Sequence, residues 1–172
     1  MADGGQMPPT EFVPGPDTSR AFRNALGCFA TGVTLVTINS ADGPMGFAAN
    51  SFAAVSLDPA LVLWSPAKSS GRFAHYRAAT HYAIHVLPLS ARDMLGRFAR
   101  GGKGFTGLPH SRNPEGVPLL DHAVARFDCR QHATHDGGDH LIIVGQVLRA
   151  VLNGGEALIF NQGQYGKFSP LH

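Results

Sequence analysis

Gly46-Phe47-Ala48-Ala49-Asn50-Ser51-Phe52-Ala53-Ala54-Val55-Ser56-Leu57-Asp58-Pro59-Ala60-Leu61-Val62-Leu63-Trp64 is the stretch from which the rest of the chain is best read. Its first half is too polar and too small for a purely structural strand, because Asn50 and Ser51 sit among four alanines and two phenylalanines. Small side chains let a flat ligand approach the backbone closely. Asn and Ser add the donors and acceptors that such a ligand needs. Asp58-Pro59 signals a turn or kink, and residues 61–64 read as a buried strand. Without a ligand, the same residues describe a pair of core strands with a polar kink.

Upstream, Ala41-Asp42-Gly43-Pro44 has the chemistry of a hairpin turn, and residues 33–38 are a strand rich in β-branched side chains. If these strands pair, residues 31–34 lie beside Asn50 and Ser51. Asp17, Thr18 and Ser19 are candidate N-caps for a helix to about Ala30, with Phe22, Ala25, Leu26 and Phe29 on one apolar face and Gly32 as its stop. Residues 1–16 hold four prolines and three glycines and read as a flexible arm, which leaves residues 17–172 as a single domain.

Downstream, Lys68, Ser69 and Ser70 precede a short helix through Phe73 and Tyr76, the composition of an anion site. The same residues also describe a capped helix with a solvated lysine. Residues 81–87 alternate as a strand, with Tyr82, Ile84 and Val86 on one side. Ser90 and Asp93 form a capping box before a helix to about Arg100. Gly102-Lys103-Gly104-Phe105-Thr106-Gly107 matches Gly-x-Gly-x-x-Gly, but it follows a helix and opens none, so it is no dinucleotide fingerprint. A glycine loop over some ligand, touched by Lys103 and Phe105, remains open. Residues 123–131 alternate, with Arg126, Asp128 and Arg130 expected outward. The turn at residues 135–140 leads into the apolar run 141–152, in which Gly145 suggests a bulge. Asn153-Gly154-Gly155 turns the chain, residues 157–160 form a last strand, and the tail 163–168 reaches back over a neighbouring surface. About seven strands, three short helices and no βαβ repeat point to a mainly β fold, a closed or split antiparallel barrel.

A chain of 172 residues buries roughly 70% of its unfolded surface as one domain. A formal charge of +2 argues against nucleic-acid or membrane surfaces as partners. No apolar run reaches the ~20 residues of a membrane span, and the N-terminus lacks the order of a secretory signal. Cys28 and Cys129 read as buried free thiols in a reducing compartment, which suits the cytoplasm.

His132, His135, Asp136, Asp139 and His140 cluster near one turn, yet their spacing does not converge four ligands on one metal ion. No Gly-x-Ser-x-Gly elbow is present, and the acidic residues are few and scattered. What remains is a planar-ligand site, an anion site and a histidine turn, suited to redox chemistry carried by a cofactor.

Thr31-Gly32-Val33-Thr34, Gly46-Phe47-Ala48-Ala49-Asn50-Ser51-Phe52, Val55-Ser56-Leu57-Asp58-Pro59 and Gly138-Asp139-His140 together resemble the short-chain flavin reductases. These are the reductase components of two-component flavin-dependent monooxygenases, and the resemblance runs over about residues 22–168. The turn His135-Asp136-Gly137-Gly138-Asp139-His140 is particularly similar to reductases serving phenol and steroid-ring hydroxylases. The resemblance implies a split β-barrel, usually homodimeric, that binds FMN or FAD and reduces it by hydride transfer from NADH or NADPH. The reduced flavin then serves a separate oxygenase by diffusion. It also implies that Thr31, Gly32, Val33, Thr34, Ala48, Ala49, Asn50, Ser51 and Phe52 hold the isoalloxazine edge and ribityl chain. Lys68, Ser69 and Ser70 meet the phosphate, Ser65, Lys103, Phe105 and Tyr165 complete the cofactor contacts, and His140 faces the nicotinamide. The chain departs from the family at Pro59-Ala60, where two prolines are common, and in the short loop 101–107. Two other classes fit similar strands: a split-barrel oxidase of the pyridoxamine-phosphate type, which keeps its flavin, and a non-catalytic flavin-binding module.

Overall fold

The hairpin expected at residues 41–44 organises one end of the sheet: β2 (Thr34–Ser40) and β3 (Gly43–Ala49) pair antiparallel from Ser40↔Gly43 to Thr34↔Ala49. The structure, a computed structural model, describes residues 10–99 and 101–171. Its first short strand, β1 (Thr31–Gly32), follows α1 (Ser19–Gly27). After β3 come β4 (Ala53–Leu57), β5 (Ala60–Trp64), α2 (Phe73–Ala78), β6 (His81–Val86) and α3 (Leu95–Ala99). Then follow β7 (Ser111–Arg112), β8 (Pro118–Leu119), β9 (Ala125–Gly137), β10 (His140–Leu152), β11 (Ile159–Asn161) and β12 (Gln164–Gly166). The fold is mainly β with few helices. Seven strands form one sheet in the order β3-β2-β6-β9-β10-β5-β4. β3 and β4 are its edges, and no ladder among the described residues joins them.

Two apolar clusters pack on this sheet, and β2 serves both. Val36 and Ile38 enter a cluster with Trp64, Tyr76, Tyr82 and Ile143. Leu35 enters the other, with Val33, Leu87, Phe98, Phe105 and Leu158. A strand buried on both faces reads as a continuous apolar run, which is why residues 33–38 lack alternation. The bulge expected at Gly145 is present as a register shift between Val144 and Gly145.

Several expectations are corrected. The first helix ends at Gly27, short of Ala30, and Gly32 lies in β1 opposite Ile159 of β11 instead of stopping a helix. Among the described residues the apolar face of α1 is not covered, since Phe22 and Leu26 are exposed, as is Phe29 just beyond the helix. Cys28 is exposed, and only Cys129 is the buried thiol. No capping box forms at Ser90: the extended Pro88 precedes a 3-10 helix at Leu89–Met94, so Ser90 already lies inside the turn. Asp128, expected outward, is buried because Nε of Arg126 (3.0 Å) and Nε of Arg149 (3.2 Å) donate to its two oxygens. His132, His135 and Asp136 lie on β9, which leaves Gly138-Asp139 as the turn. The tail folds onto its own chain, with β12 pairing β11. Among the described residues the strand count rises to twelve, because ladders of two or three residues carry no periodicity. Residues 1–9 of the expected arm lie outside the described residues.

His85 is fully buried on β6, and two backbone partners fix its tautomer. Nδ1 lies 3.1 Å from the Leu35 carbonyl and donates to it, while the Leu120 N–H donates to Nε2 at 3.1 Å. Burial pushes its pKa down to about 4. The unfolded chain therefore takes up a proton below about pH 6.5 that the folded chain refuses. Stability contributed by neutral His85 is present above pH 6.5 and is lost as pH falls toward 4, by on the order of 3 kcal/mol. Urea unfolding at pH 7.5, 6 and 5 should show this decline, and His85→Gln should flatten it.

Candidate functional site

The β2–β3 register brings the two expected halves of a ligand groove together. Thr34 faces Ala49, and Thr34 Oγ1 donates to the Ala49 carbonyl at 2.8 Å. Val33 N–H donates to Leu158 O at 3.0 Å, which draws β11 alongside. Val33, Ala48, Ala49, Asn50, Phe160 and Tyr165 then line a shallow groove of about 160 Å³. Tyr165 also lines a neighbouring, wider groove of about 610 Å³ that includes Thr31 and Gly32. Asn50 is exposed at the end of β3. Thr31 Oγ1 is buried with no hydrogen-bond partner among the described residues. An orphaned hydroxyl beside an alanine-lined groove fits a flat ligand with a polar edge.

Ser51 and Phe52 are already engaged by the protein. The Ser51 hydroxyl donates to Ser65 O at 3.2 Å and accepts from Ser65 N–H at 2.9 Å. This strap ties the end of β3 to the start of the Lys68 loop. Phe52 stacks on Phe127, with ring centroids 5.6 Å apart.

The strap leads directly to the cation and the histidine turn. Ala67 bridges His140, Leu141 N–H donates to Pro66 O at 3.1 Å, and Lys68 N–H donates to Asp139 O at 2.9 Å. Lys68 Nζ stands 2.8 Å from Asp136 Oδ2, and the ammonium holds that carboxyl below its usual range. His140 Nδ1 lies 2.7 Å from Asp139 Oδ1 and likewise lowers the Asp139 carboxyl. The backbone donors expected at the helix start are largely used. Lys68 N–H goes to Asp139, Ser70 N–H to Ala67 O, Arg72 N–H to Ser70 Oγ and Phe73 N–H to Ser70 O. α2 has six residues, so an anion here would be held mainly by the Lys68 ammonium and the Ser69 and Ser70 hydroxyls.

Lys103 and Phe105 part company. Lys103 lines a polar pocket of about 400 Å³ with Asp42, Ser70, Arg72 and His75. Phe105 is only 5% exposed, in edge contact with Phe98 (5.2 Å) and His110 (4.8 Å). It packs as a core residue of the second cluster. Arg72 was not among the expected residues, although it directly follows the Ser69-Ser70-Gly71 turn. Its Nη1 donates to Gly46 O (3.0 Å) and Phe98 O (2.9 Å), and its guanidinium lies 4.2 Å from the centroid of Phe47. Burial lowers its pKa, so the stack and two carbonyls hold a partly desolvated charge. Among the described residues no three His, Cys, Asp or Glu side chains gather as a metal site. No helix among them is long and apolar enough to cross a membrane.

Comparison with known proteins places this geometry. Residues 26–169 match the family model described as a flavin reductase like domain. The chain is 55% identical over 158 residues to FMN reductase (NADH) SmoA of Agrobacterium fabrum, covering 92% of this chain and 91% of that protein. It is 37% identical over 153 residues to the flavin-dependent monooxygenase reductase subunit HsaB of Rhodococcus jostii, covering 88% of this chain and 78% of that one. The solved structure of the NADH:FAD oxidoreductase SgcE6 of Streptomyces globisporus superposes with a TM-score of 0.86 at 34% identity, covering 96% of this chain and 95% of that chain. The chain belongs to the flavin reductase-like domain family.

Proposed function

We propose that this chain is an NADH-dependent flavin reductase that takes FMN, with FAD as the alternative, and hands the reduced flavin to a separate monooxygenase. The observation that carries this reading is the continuous strap from Asn50 and Ser51 through Ser65 to Lys68 and His140. It links the end of β3, where Ala48, Ala49 and Asn50 line the groove, to the segment of Lys68 and the start of β10 at His140. The relatives named as an NADH-dependent FMN reductase and as a monooxygenase reductase subunit support the donor, the flavin and the partner.

When bound, the flavin supplies the hydride acceptor and the nicotinamide the hydride. The chain's own residues bind and align the two rings. Ala48 and Ala49 keep the groove floor flat, Asn50 and the Thr31 hydroxyl offer polar partners to a ring edge, and Tyr165 closes one side. Lys68 with Ser69 and Ser70 meets the phosphate. His140, steadied by Asp139, orients the nicotinamide. No residue need donate a proton for hydride to pass. The likeness to SgcE6 supports reading the seven-stranded sheet as part of a split β-barrel formed by residues 17–172 as one domain. The uncovered face of α1, with Phe22 and Leu26 exposed, supports a homodimer. The exposed free thiol of Cys28 suits a cytoplasmic setting.

The test is NADH oxidation followed at 340 nm with and without added flavin. Activity that rises with free FMN or FAD supports the reading. Activity that needs no added flavin and consumes an amine would favour an oxidase with a retained cofactor. Within the same assay, His140→Ala should raise the NADH KM or slow the reduction, with flavin affinity unchanged within about threefold.

A further inference from the structure

The Lys68–Asp136 contact has a consequence for which flavin the site prefers. The ammonium proposed for the flavin phosphate already has a carboxylate partner at 2.8 Å. Two further bonds hold the arrangement in place. Asp136 Oδ1 accepts the Gly138 N–H at 2.9 Å, and Lys68 N–H donates to Asp139 O at 2.9 Å. The carboxylate is therefore fixed at the end of β9, paired with the start of β10 that carries His140 and next to the loop that carries the cation. Its side chain is 79% exposed and that of Lys68 34% exposed, so a ligand can reach the pair. A phosphate dianion arriving at Lys68 must share or displace Asp136, and it meets that negative charge at close range.

We infer that Asp136 is an internal competitor for Lys68 that weakens the hold on phosphorylated flavins and narrows the preference for FMN over riboflavin. This rests on reading Lys68 as the phosphate ligand. It accounts for how a site with a cation can still release its product: the lysine is never left bare, because Asp136 takes it back as the phosphate departs. An exposed ion pair is weak, so it tunes exchange and does not block entry.

The experiment measures dissociation constants for FMN and riboflavin, by quenching of flavin fluorescence, in four proteins: wild type, Asp136→Asn, Lys68→Ala and the double variant. Asparagine keeps an oxygen for the Gly138 N–H, and its amide nitrogen in place of Oδ2 removes both the charge and the acceptor that face Lys68. Asp136→Asn should tighten FMN about threefold to fivefold, leave riboflavin unchanged and slow FMN release by a similar factor. Lys68→Ala should weaken FMN about tenfold or more, again sparing riboflavin. In the double variant the gain from Asp136→Asn should vanish. If Lys68→Ala weakens FMN selectively but Asp136→Asn leaves it unchanged or weaker, the competitor role is overturned and the phosphate reading stands. If Asp136→Asn tightens both flavins alike, the effect does not run through the phosphate and the inference fails. If Lys68→Ala affects both flavins equally or neither, the phosphate reading falls, and this inference with it.

Discussion

Asn50→Leu is expected to raise the flavin dissociation constant by about tenfold or more while shifting stability by no more than about 0.5 kcal/mol. Asn50 is exposed at the end of β3, on the rim shared with Phe160 and Tyr165, so the fold has little stake in its amide. The edge of an isoalloxazine ring alternates donors and acceptors, and an amide can answer both. Leucine matches the volume and answers neither, which leaves polar ring atoms unpaired on binding at a cost of about 1–3 kcal/mol. Flavin titration with a parallel urea unfolding curve checks both halves of the expectation. The flavin KM should rise with the dissociation constant, while kcat at saturating flavin changes less. An unchanged flavin affinity would move the ring elsewhere on the rim.

Gly145→Ala should act on the fold instead, lowering stability by about 2–3 kcal/mol. Gly145 sits at the bulge of β10, and an added Cβ would overlap the Tyr82 hydroxyl, come within 2.8 Å of Tyr82 Cζ and stand 3.2 Å from Cβ of Cys129. Tyr82 cannot swing away, since it is 1% exposed and packs edge-on against Trp64 at 6.2 Å. The strand must shift or the aromatic cluster must loosen. Tyr82→Phe removes the oxygen and should restore part of the loss in the double variant, because the ring contact remains. Equal losses with and without the Tyr82 hydroxyl would trace the effect to the bulge backbone.

What the sequence discloses here follows the range over which each feature is decided. The turn at residues 41–44 and the bulge at Gly145 are written in adjacent residues, and both appear where expected. The burial of Asp128 is decided by Arg149, twenty-one positions away and across a ladder, and alternation along β9 cannot report it. His85 looks like one more polar residue in a strand until Leu35 and Leu120 take its two nitrogens. Phe105 stands in a glycine loop that suggests a ligand, but Phe98 claims it for the core. For the site, residue types and order are legible, and Val33 and Thr34 do meet Ala48, Ala49 and Asn50, while Thr31 and Gly32 pair with β11 along the neighbouring groove. The pairings that set their chemistry, Ser51 with Ser65 and Lys68 with Asp136, join separate segments and needed the fold.

Whether flavin is a substrate that leaves reduced can be read from one anaerobic mixing experiment. The protein is loaded with one equivalent of FMN, reduced with NADH and mixed rapidly with a large excess of an apo-flavoprotein that binds reduced FMN tightly. Reduced flavin should pass to the acceptor within about one turnover time of the steady-state assay, as expected of a dissociating substrate. Reduced flavin that stays with this chain for many turnover times would contradict it and mark the flavin as a permanently bound group.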